Sequence, residues 1–438
     1  MKIIALSLFI SLILITGCTQ LSTSKCGTNG ELCVCGTESG KGCAPEDKRV
    51  DLYTPKFSNP AKITNPLFPA SEVDQTLLLG HVEGEPLRVV YTLMPQTRKI
   101  TWNGQEVETR AVQYVAHVDR KIVEFAVDWY AQADDGSVWY FGEDVYNYEE
   151  GVVADTHGTW LAGRDGPLSM IMPATPKVGD VYRVENIPGS VFEEITVKQV
   201  DLTFEGPEGP VKGAMVGRQL HVEGEYSDKI FAPSYGEFHT SNDLELEAVA
   251  LAVPTDASTG TMPTKYKVLS EGAISIFDMA ESENWSAISE TAEGMTSAWD
   301  TKEAGDIPNK YLDAQMTTAM KDLAEDVEAQ VATDARQAAI DVAVASLDFQ
   351  MRYRPTYEVD LERLEISTLQ LIVSAEEEDI GAVKGDITTM GYIRDRIRHK
   401  LSEAAFIDSK LQDLSNAANA EDFDAVLNAT EQLRSHLS

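Results

Sequence analysis

The chain is 438 residues long and has no cysteine after residue 43. Without a thiol in this long remainder, cysteine catalysis and disulfide bonds are excluded for everything that follows Cys43. The five cysteines lie in a short stretch rich in Gly, Ser and Thr, at Cys18, Cys26, Cys33, Cys35 and Cys43. Closely spaced cysteines are typical of a chain that folds outside the cytoplasm, where disulfides persist.

The last four cysteines form an even set. They allow two disulfides with three possible connectivities, of which a direct Cys33 to Cys35 bond has the least favourable geometry. A four-thiolate metal site is the alternative, but the spacing Cys-x6-Cys-x-Cys-x7-Cys lacks the paired Cys-x2-Cys of structural zinc sites. We therefore predict that Cys26, Cys33, Cys35 and Cys43 form disulfides, and we assign no metal ligand.

Basic residues are scarce relative to acidic ones. The chain has 36 Lys and Arg against 71 Asp and Glu, which gives a formal net charge of -35. Such a surface repels phosphate backbones and anionic lipid headgroups, so nucleic acid is excluded as a partner. Envelope proteins, glycans and small molecules of unknown identity remain. With 43% hydrophobic residues and a mean hydropathy of -0.20, the chain is long enough for two globular domains.

Long apolar runs are missing after residue 15, which excludes a later membrane span. The N-terminal run from Ile3 to Ile15 follows a basic Lys2 and is too short to cross a bilayer comfortably. It ends in Ile15-Thr16-Gly17-Cys18, which resembles the lipobox of bacterial lipoprotein precursors. The resemblance implies that residues 1–17 are a signal peptide and that Cys18 carries the lipid. An uncleaved anchor helix, or an ordinary signal peptide with an incidental cysteine, is the alternative.

The predicted location follows from this resemblance. Thr19 follows Cys18, in place of the aspartate that often retains lipoproteins in the inner membrane. The resemblance therefore implies an extracytoplasmic protein anchored by lipid. It would lie in the outer membrane of a double-membraned cell, and otherwise on the outer face of the plasma membrane. The lipid would be the chain's contact with the membrane.

Signature motifs of catalysis are also missing. The sequence has no Gly-x-Ser-x-Gly elbow, no His-Glu-x-x-His, no P-loop and no dinucleotide-binding glycine motif after a strand. We assign no catalytic residue, no cofactor-binding residue and no cofactor. These absences favour a non-enzymatic function without deciding the question.

The chain changes character along its length, and we divide it into four parts. Residues 18–71 read as a lipidated, cysteine-containing tether, since Pro45, Pro55, Pro60, Pro66 and Pro69 prevent helix and interior strand there. Residues 72–282 are predicted to form an antiparallel β domain, and residues 283–438 a bundle of α-helical hairpins. The predicted fold class is thus α+β and multidomain.

Alternation of apolar and polar residues supports the β domain. In Lys121 to Gln132, Val123 and Trp129 fall on one face and Asp128 on the other, and a turn with Gly136 then leads into a second strand. Several short strands with turn residues between them indicate a sandwich or a closed barrel, and the pattern does not choose between these. The pentapeptide that starts at His81 recurs at His221, through a duplicated hairpin or by coincidence.

A period of 3.6 residues replaces this alternation near residue 285. A weak repeat places Asp379 and Asp422 at equivalent positions, each followed by Ala-Val. An acidic residue there can cap the first turn of a helix, so we expect each one to open the second helix of a hairpin. The basic residues around Arg352 and Arg394 are interpreted as partners of neighbouring acids.

Aromatic residues are concentrated between positions 129 and 160, close to several acids. Flat rings beside carboxylates suit a sugar or a cationic ligand, and the candidate ligand cleft is Asp128, Trp129, Trp139, Tyr140 and Trp160. The alternative interpretation is that these rings form a hydrophobic core. Two carboxylates here would also suit a hydrolase of extracellular glycan. A metal site built from His81, His117, His157, His221 and His239 is a third hypothesis.

Several short segments stand out together: Lys62 to Pro66, Asp128 to Gln132, Val138 to Asp144, Met172 to Ala174 with Val178 to Asp180, and the residues around Tyr353-Arg354-Pro355. Through these segments the chain resembles a group of uncharacterised secreted bacterial proteins. The resemblance implies no activity. We therefore predict a lipid-anchored, non-enzymatic envelope protein with a ligand-binding or scaffold role for the β domain and a docking role for the helical bundle.

Overall fold

A computed structural model describes residues 24–25, 32–33, 35–187, 190–241 and 245–437. The chain divides into two compact units, Met1–Glu149 with Val153–Thr255 and Glu150–Val152 with Asp256–Ser438. We call them the β unit and the helical unit. A β domain followed by a helical one confirms the predicted fold class. In the described part of the chain, no helix combines the length and the apolar character that a membrane span requires.

Fourteen of the described strands form one antiparallel sheet in the β unit. They are β3 (Gln75–Val82), β4 (Glu85–Trp102), β5 (Gln105–Val118), β6 (Lys121–Gln132), β7 (Val138–Glu149), β8 (Val152–Asp155), β9 (Trp160–Leu161), β10 (Ser169–Met172), β11 (Val181–Ile187), β12 (Val191–Gly206), β13 (Gly209–His221), β14 (Tyr226–Ala232), β15 (Gly236–Ser241) and β16 (Glu245–Val253). Two short strands, β1 (Ser24–Lys25) and β2 (Leu32–Cys33), pair only with each other.

The sheet consists of two consecutive meanders that meet at one edge. In the first, β3 to β7 follow one another and β10 pairs with β7; in the second, β11 to β16 follow one another, and β16 pairs with β3. Tyr130 of β6, Val184 of β11 and Met215 of β13 share one hydrophobic core. The two meanders therefore face a common interior. The strand pattern left a sandwich and a barrel open. The β unit is a single wrapped sheet and not a pair of separate stacked sheets.

Strand β6 buries both of its faces. Its apolar face includes Val123 and Trp129, and the alternate residues Glu124 and Asp128 are buried as well. The alternation predicted from the sequence is present, and a turn with Gly136 at a φ of 93° leads into β7 as expected. In many antiparallel sheets the polar face of such a strand meets water. Here it faces the interior of the β unit.

Residues 35–71 pack on the β unit. Ile63 is fully buried, and the Asn65 side chain donates hydrogen bonds to the carbonyl oxygens of Gly136, at 2.9 Å, and Pro173, at 3.0 Å. The backbone amides of Thr64 and Asn65 both donate to Gln132 Oε1 at 2.8 Å. The proline-rich part of the predicted tether is therefore attached along the domain. For the chain before residue 35, a tether stays a prediction.

A disulfide joins Cys35 to Cys43, which confirms disulfide bonding in this segment and selects one of the open pairings. The predicted signal peptide, Cys18 and Cys26 lie outside the described residues, and the Cys33 side chain is not among the described ones. A second disulfide within the predicted set would join Cys26 to Cys33.

The two copies of the repeated pentapeptide form different turns. In the first, Val82 pairs with Glu85 across a two-residue loop, in which Glu83 and Gly84 have φ values of 51° and 93°. In the second, Leu220 pairs with Tyr226, so that the loop is longer. The hairpins are not equivalent, and neither are the histidines that precede the loops.

The described helices of the helical unit number eight. They are α1 (Thr264–Glu281), α2 (Trp285–Asp300), α3 (Lys310–Ala329), α4 (Ala332–Gln350), α5 (Thr356–Glu376), α6 (Ile380–Ile397), α7 (Ala404–Asn419) and α8 (Phe423–Leu437). Helix α1 lies in the range that the sequence analysis assigned to the β domain, so the boundary falls after Thr255 and not at 282. Its buried Tyr266, Leu269, Ala273, Ile276 and Ala280 follow the helical period.

The helix starts predicted from the repeat are confirmed. The Asp379 carboxylate accepts a hydrogen bond from the backbone amide of Ala382 at 3.0 Å, at the start of α6. Asp422 accepts one from Ala425, also at 3.0 Å, at the start of α8. Each carboxylate satisfies an amide that the first helical turn leaves without an intrahelical partner.

The helical unit also buries a network of charged side chains. Arg363 contacts Asp348 at 2.9 Å and Asp360 at 3.0 Å, and Arg396 contacts the same Asp360 oxygen at 3.0 Å. Closer to the surface, Arg398 pairs with Asp408 at 2.9 Å. Arg396 and Arg398 are therefore partners of neighbouring acids, as the sequence indicated, whereas Arg352 donates to the carbonyl oxygen of Ile307.

Candidate functional site

The β unit encloses a cavity of about 120 Å³. Strands β3–β7 and β10–β15 all contribute lining residues, because the two meanders curve around the same interior. A cavity on the order of 150 Å³ holds one benzene molecule, and a buried water needs roughly a tenth of that volume. The cavity can therefore hold a ligand of about six non-hydrogen atoms.

Carboxyl groups dominate the polar lining. Six are present: Glu124, Asp128, Glu143, Glu185, Glu193 and Glu237. Lys229 of β14 is the single basic side chain among the described lining residues, and its Nζ lies 3.4 Å from Glu237 Oε2. With one ammonium group for six acids, the interior has a strongly negative potential wherever these acids are ionised.

Asp128 is held between two tyrosines. The Tyr140 hydroxyl donates to Asp128 Oδ1 at 2.9 Å, and the Tyr130 hydroxyl donates to Oδ2 at 3.1 Å. The two rings stack with centroids 4.7 Å apart, since these residues pair across β6 and β7. Burial raises the pKa of Asp128 to about 7, and the two tyrosine hydrogen bonds partly oppose that rise.

Glu143 and Glu185 bring their carboxyl groups together across the interior. Glu143 pairs with Asp128 across the first meander, and Glu185 comes from β11 of the second. Burial raises the pKa of Glu143 to about 8, and the charge of Asp128 adds to this. Burial, followed by the charge of Glu143, raises the pKa of Glu185 well above its ordinary value. Two ionised carboxylates repel each other, so these surroundings favour a proton on at least one of the two groups.

Neighbouring side chains hold these acids in place. Trp160 Nε1 donates to Glu185 Oε1 at 3.0 Å. Glu193 pairs with Glu185 across β11 and β12, and its Oε1 lies 3.4 Å from His221 Nδ1. His221 Nε2 in turn lies 2.8 Å from Ser227 Oγ. The carboxyl groups are thus fixed by the sheet register and by hydrogen bonds.

Gln219 is the polar residue for which the fold provides no partner. It lies on β13, opposite Ile195 of β12 and Ser227 of β14, and its side chain is fully buried against the cavity. Neither its Nε2 nor its Oε1 has a hydrogen-bond partner among the described residues. Each buried polar group without a partner costs about 1–3 kcal/mol. The amide therefore offers one donor site and one acceptor site to a molecule in the cavity.

Half-buried lining residues mark the approach to the cavity. They are Phe68, Ala70, Val73, Tyr91, Leu93, Tyr235 and Glu237. The turn between β14 and β15 is tied to the 66–73 segment, because the Ser234 amide donates to the Pro66 carbonyl at 3.0 Å. Access to the interior is therefore expected between this turn and residues 66–73.

The residues of the predicted ligand cleft do not all lie in one site. Asp128 and Tyr140 line the cavity, and Trp160 reaches it through its hydrogen bond to Glu185. Trp129 lies under the Arg98 guanidinium, 4.0 Å from the ring centroid, and Trp139 donates to Ser137 Oγ at 2.8 Å. Neither Trp129 nor Trp139 is among the described lining residues.

Sequence reasoning missed the residues that the second meander contributes. Glu185, Glu193, Gln219 and Lys229 are polar residues that lie within strands, and each has one apolar and one polar neighbour in the chain. That pattern also describes a strand with one face in water, so it does not identify an interior by itself. The signal was present, but its meaning depended on which face the fold encloses.

The predicted histidine site is not assembled. Among the described residues, no group of three or more His, Cys, Asp or Glu side chains is arranged so that it could hold a metal ion. His221 instead contacts Glu193 and Ser227, and His81 lies next to an exposed turn. The histidine hypothesis therefore receives no support from the geometry.

The sequence was compared with known protein families, with curated proteins and with solved structures, and no match was found. The likeness to lipoprotein precursors and to secreted bacterial proteins therefore stays an expectation.

Proposed function

We propose that the β unit is a non-enzymatic ligand-binding domain that holds a small molecule in its internal cavity. Gln219 carries this proposal, because both polar atoms of its fully buried amide lack a partner while facing the cavity. Folding alone would favour an apolar residue at that position, since the amide costs stability that it does not recover. A molecule in the cavity would recover it.

A scaffold role fits the β unit less well. A domain that serves only as a scaffold is most stable with a close-packed interior, and a cavity lowers its stability in proportion to the volume left open. This interior is open and lined with acids whose pKa values are raised by burial. Ligand binding accounts for both features.

The cavity can be tested by filling it. Ala126 is a buried lining residue on β6, and Ala126→Leu would occupy the space, whereas the matched change Ala154→Leu lies on the exposed strand β8. Fragments of up to about six non-hydrogen atoms would be screened against the full chain by ligand-observed NMR. We expect Ala126→Leu to abolish binding of the hits and Ala154→Leu to leave it unchanged, with thermal melts confirming that both variants fold. Hits that bind Ala126→Leu as well as the parent chain would contradict the proposal.

Anchoring through Cys18 belongs to the same proposal. The protein would be extracytoplasmic and lipid-anchored, in the outer membrane or on the outer face of the plasma membrane, and a ligand there would reach it without crossing into the cytoplasm. Cys18→Ala is expected to release the protein from the membrane fraction without changing its melting temperature. A Cys18→Ala protein that stays with the membranes would remove the anchor from the proposal.

The helical unit is assigned a docking role. Its buried arginines are paired internally, and the described part of the unit has single exposed apolar side chains at Val268, Val331 and Tyr357. Photo-cross-linking residues at these three positions should give one discrete adduct with an envelope component in intact cells. Absence of an adduct at all three would argue against docking.

A hydrolase of extracellular glycan is the second candidate. One observation favours it: Asp128, Glu143 and Glu185 converge in a concave site, and burial raises the pKa of each. A glycosidase also needs an ionised carboxylate beside its acid, and a sugar ring with its hydroxyl groups is larger than benzene. Release of reducing sugar from envelope glycans by the parent chain, lost in Glu143→Gln and Glu185→Gln, would establish this candidate in place of the first.

A further inference from the structure

We infer that the cavity selects a small primary ammonium ion that also carries a hydroxyl or carbonyl oxygen, such as a short amino alcohol. This inference rests on the proposed ligand-binding function and names the chemistry of its ligand.

The charge of the lining selects a cation. Lys229 is already paired with Glu237, and the contact of Glu193 with His221 involves one of its two carboxyl oxygens. Glu143 and Glu185 have no basic partner in the described structure, and each retains a carboxyl oxygen without a hydrogen bond. An ammonium group has three donors and no acceptor, so it complements the two carboxyl oxygens, Glu143 Oε1 and Glu185 Oε2, that have no hydrogen bond among the described residues. An anion would meet repulsion from the same groups.

The Gln219 amide adds a requirement that a simple alkylammonium ion does not meet. Its Oε1 needs a donor, which an ammonium group supplies, but its Nε2 needs an acceptor. Because the carboxyl oxygens and Gln219 line the same small cavity, one short molecule can reach both. The ligand therefore needs an oxygen within a few bonds of its nitrogen.

The other walls limit the size of the ligand and favour a short carbon chain. Tyr114, Tyr130 and Phe231 line the cavity together with Ile171 and Ile195. Aromatic rings attract cations, and aliphatic side chains favour methylene groups over further polar atoms. With a volume of about 120 Å³, the cavity fits a molecule such as propanolamine better than a polyamine or a sugar.

Binding of a cation should also displace a proton. In the free protein, burial raises the pKa values of Glu143 and Glu185 and favours a proton on at least one of the two carboxyl groups. A bound ammonium group favours the ionised form of both, so the proton passes to the buffer. Proton uptake or release is measurable apart from affinity, because the heat of binding then depends on the ionisation enthalpy of the buffer.

Titration calorimetry with three probes of matched size tests the inference. Propanolamine, propylamine and propanediol would be titrated into the full chain, each in two buffers of different ionisation enthalpy. We expect propanolamine to bind at least about tenfold more tightly than propanediol, since a hydrogen bond to a charged group contributes about 1.5–3 kcal/mol. It should bind about fivefold more tightly than propylamine, since the neutral hydrogen bond to Gln219 contributes about 1 kcal/mol. We also expect proton release with the two amines only. Equal or tighter binding of propanediol would overturn the inference.

Variants separate the two halves of the recognition. Gln219→Leu should remove the preference for propanolamine over propylamine, because the oxygen of propanolamine loses its Nε2 donor, whereas both amines lose the Oε1 acceptor equally. Glu185→Gln should weaken both amines about tenfold and abolish proton release, and the exposed control Glu85→Gln should change neither. If Glu185→Gln fails to fold, Glu143→Gln serves instead. A preference that survives Gln219→Leu would contradict the assigned role of the amide.

The two proposals fail in distinguishable ways. Neutral fragments that bind the cavity and are excluded by Ala126→Leu would support the ligand-binding function while overturning the ammonium inference. No hit from the fragment screen and no binding of the three probes would overturn both.

Discussion

A buried network in the helical unit and a pair of acids in the cavity of the β unit compensate their charges differently. In the helical unit, Arg363 and Arg396 meet Asp348 and Asp360 in hydrogen-bonded pairs. In the cavity, Glu143 and Glu185 lie near each other, and neither has a basic partner among the described residues. The first arrangement compensates its own desolvation, and the second leaves it uncompensated. Internal pairing indicates a structural role, and its absence around a cavity indicates a ligand.

The largest expected effect comes from breaking the pairing in the helical unit. Arg363→Met removes a side chain that contacts two aspartates, both of which are at most 1% exposed. A buried charge that loses its partner costs about 3–5 kcal/mol, so the free energy of unfolding should fall by that amount in urea denaturation. Arg398→Met is the control, because its side chain is 56% exposed and an exposed pair contributes about 1 kcal/mol or less. Similar losses in both variants would show that the network is not stabilising.

In the β unit, removal of a buried carboxyl charge is expected to stabilise the protein. The folded-state pKa of Glu143 is raised to about 8 from an ordinary 4.5, so the folded protein holds a proton that the unfolded chain releases between these values. The resulting stability is complete below about pH 4.5 and is lost as the pH rises through 8. Glu143→Gln mimics the protonated group. It should therefore stabilise the protein by about 4 kcal/mol at pH 8 and by about 1 kcal/mol at pH 5.

This stability prediction is checked by urea denaturation across that pH range, followed by tryptophan fluorescence from the β unit. Glu85→Gln provides an exposed control in which no such pH dependence is expected. A difference between Glu143→Gln and the parent chain that is the same at both pH values would contradict the raised pKa.

Ligand affinity should follow the same titration. Propanolamine stays protonated from pH 6 to pH 8, whereas Asp128 and Glu143 have pKa values raised to about 7 and about 8. As the pH rises these acids lose protons that compete with the cation, so the affinity should increase about tenfold. Calorimetric titrations at several pH values would measure this, with propanediol as the neutral reference. An affinity for propanolamine that does not change with pH would show that its binding does not depend on the carboxyl groups.

The smallest effect concerns the matched helix starts, Asp379 and Asp422. Replacing either carboxylate by alanine leaves one amide without its cap and should cost about 1 kcal/mol. Melting temperatures of Asp379→Ala, Asp422→Ala and the double variant would show whether the two losses add. A loss well above 2 kcal/mol for either one would mean that the residue does more than cap its helix.

Local patterns predicted much of this architecture. The β6–β7 hairpin, most helices and the two capping aspartates followed from periodicity and from residue types that act within a few positions of themselves. Helix α1 was missed although its apolar residues have the helical period, because its Ile, Val and Phe residues also suit strands. The attachment of residues 35–71 was not evident either, since it depends on partners such as Gln132 and Pro173 that are distant in sequence.

The site was only partly predictable for the same reason. Asp128 and Tyr140 were identified because acids and aromatic rings are dense in one stretch of sequence. Glu185, Glu193 and Gln219 join them from strands that are remote along the chain. Nothing within those strands reveals that their polar faces share an interior with β6 and β7.

By itself, the sequence determined the net negative charge, the confinement of cysteine to the first 43 residues, and the order of a β part before a helical part. These features follow from composition and from short-range periodicity. Only the tertiary structure decided which face of each strand is enclosed, because the pairing of β3 with β16 wraps two meanders around one cavity. That long-range pairing turns an ordinary alternating strand into the wall of a site, and it leaves the acids and Gln219 facing a space that the protein does not fill.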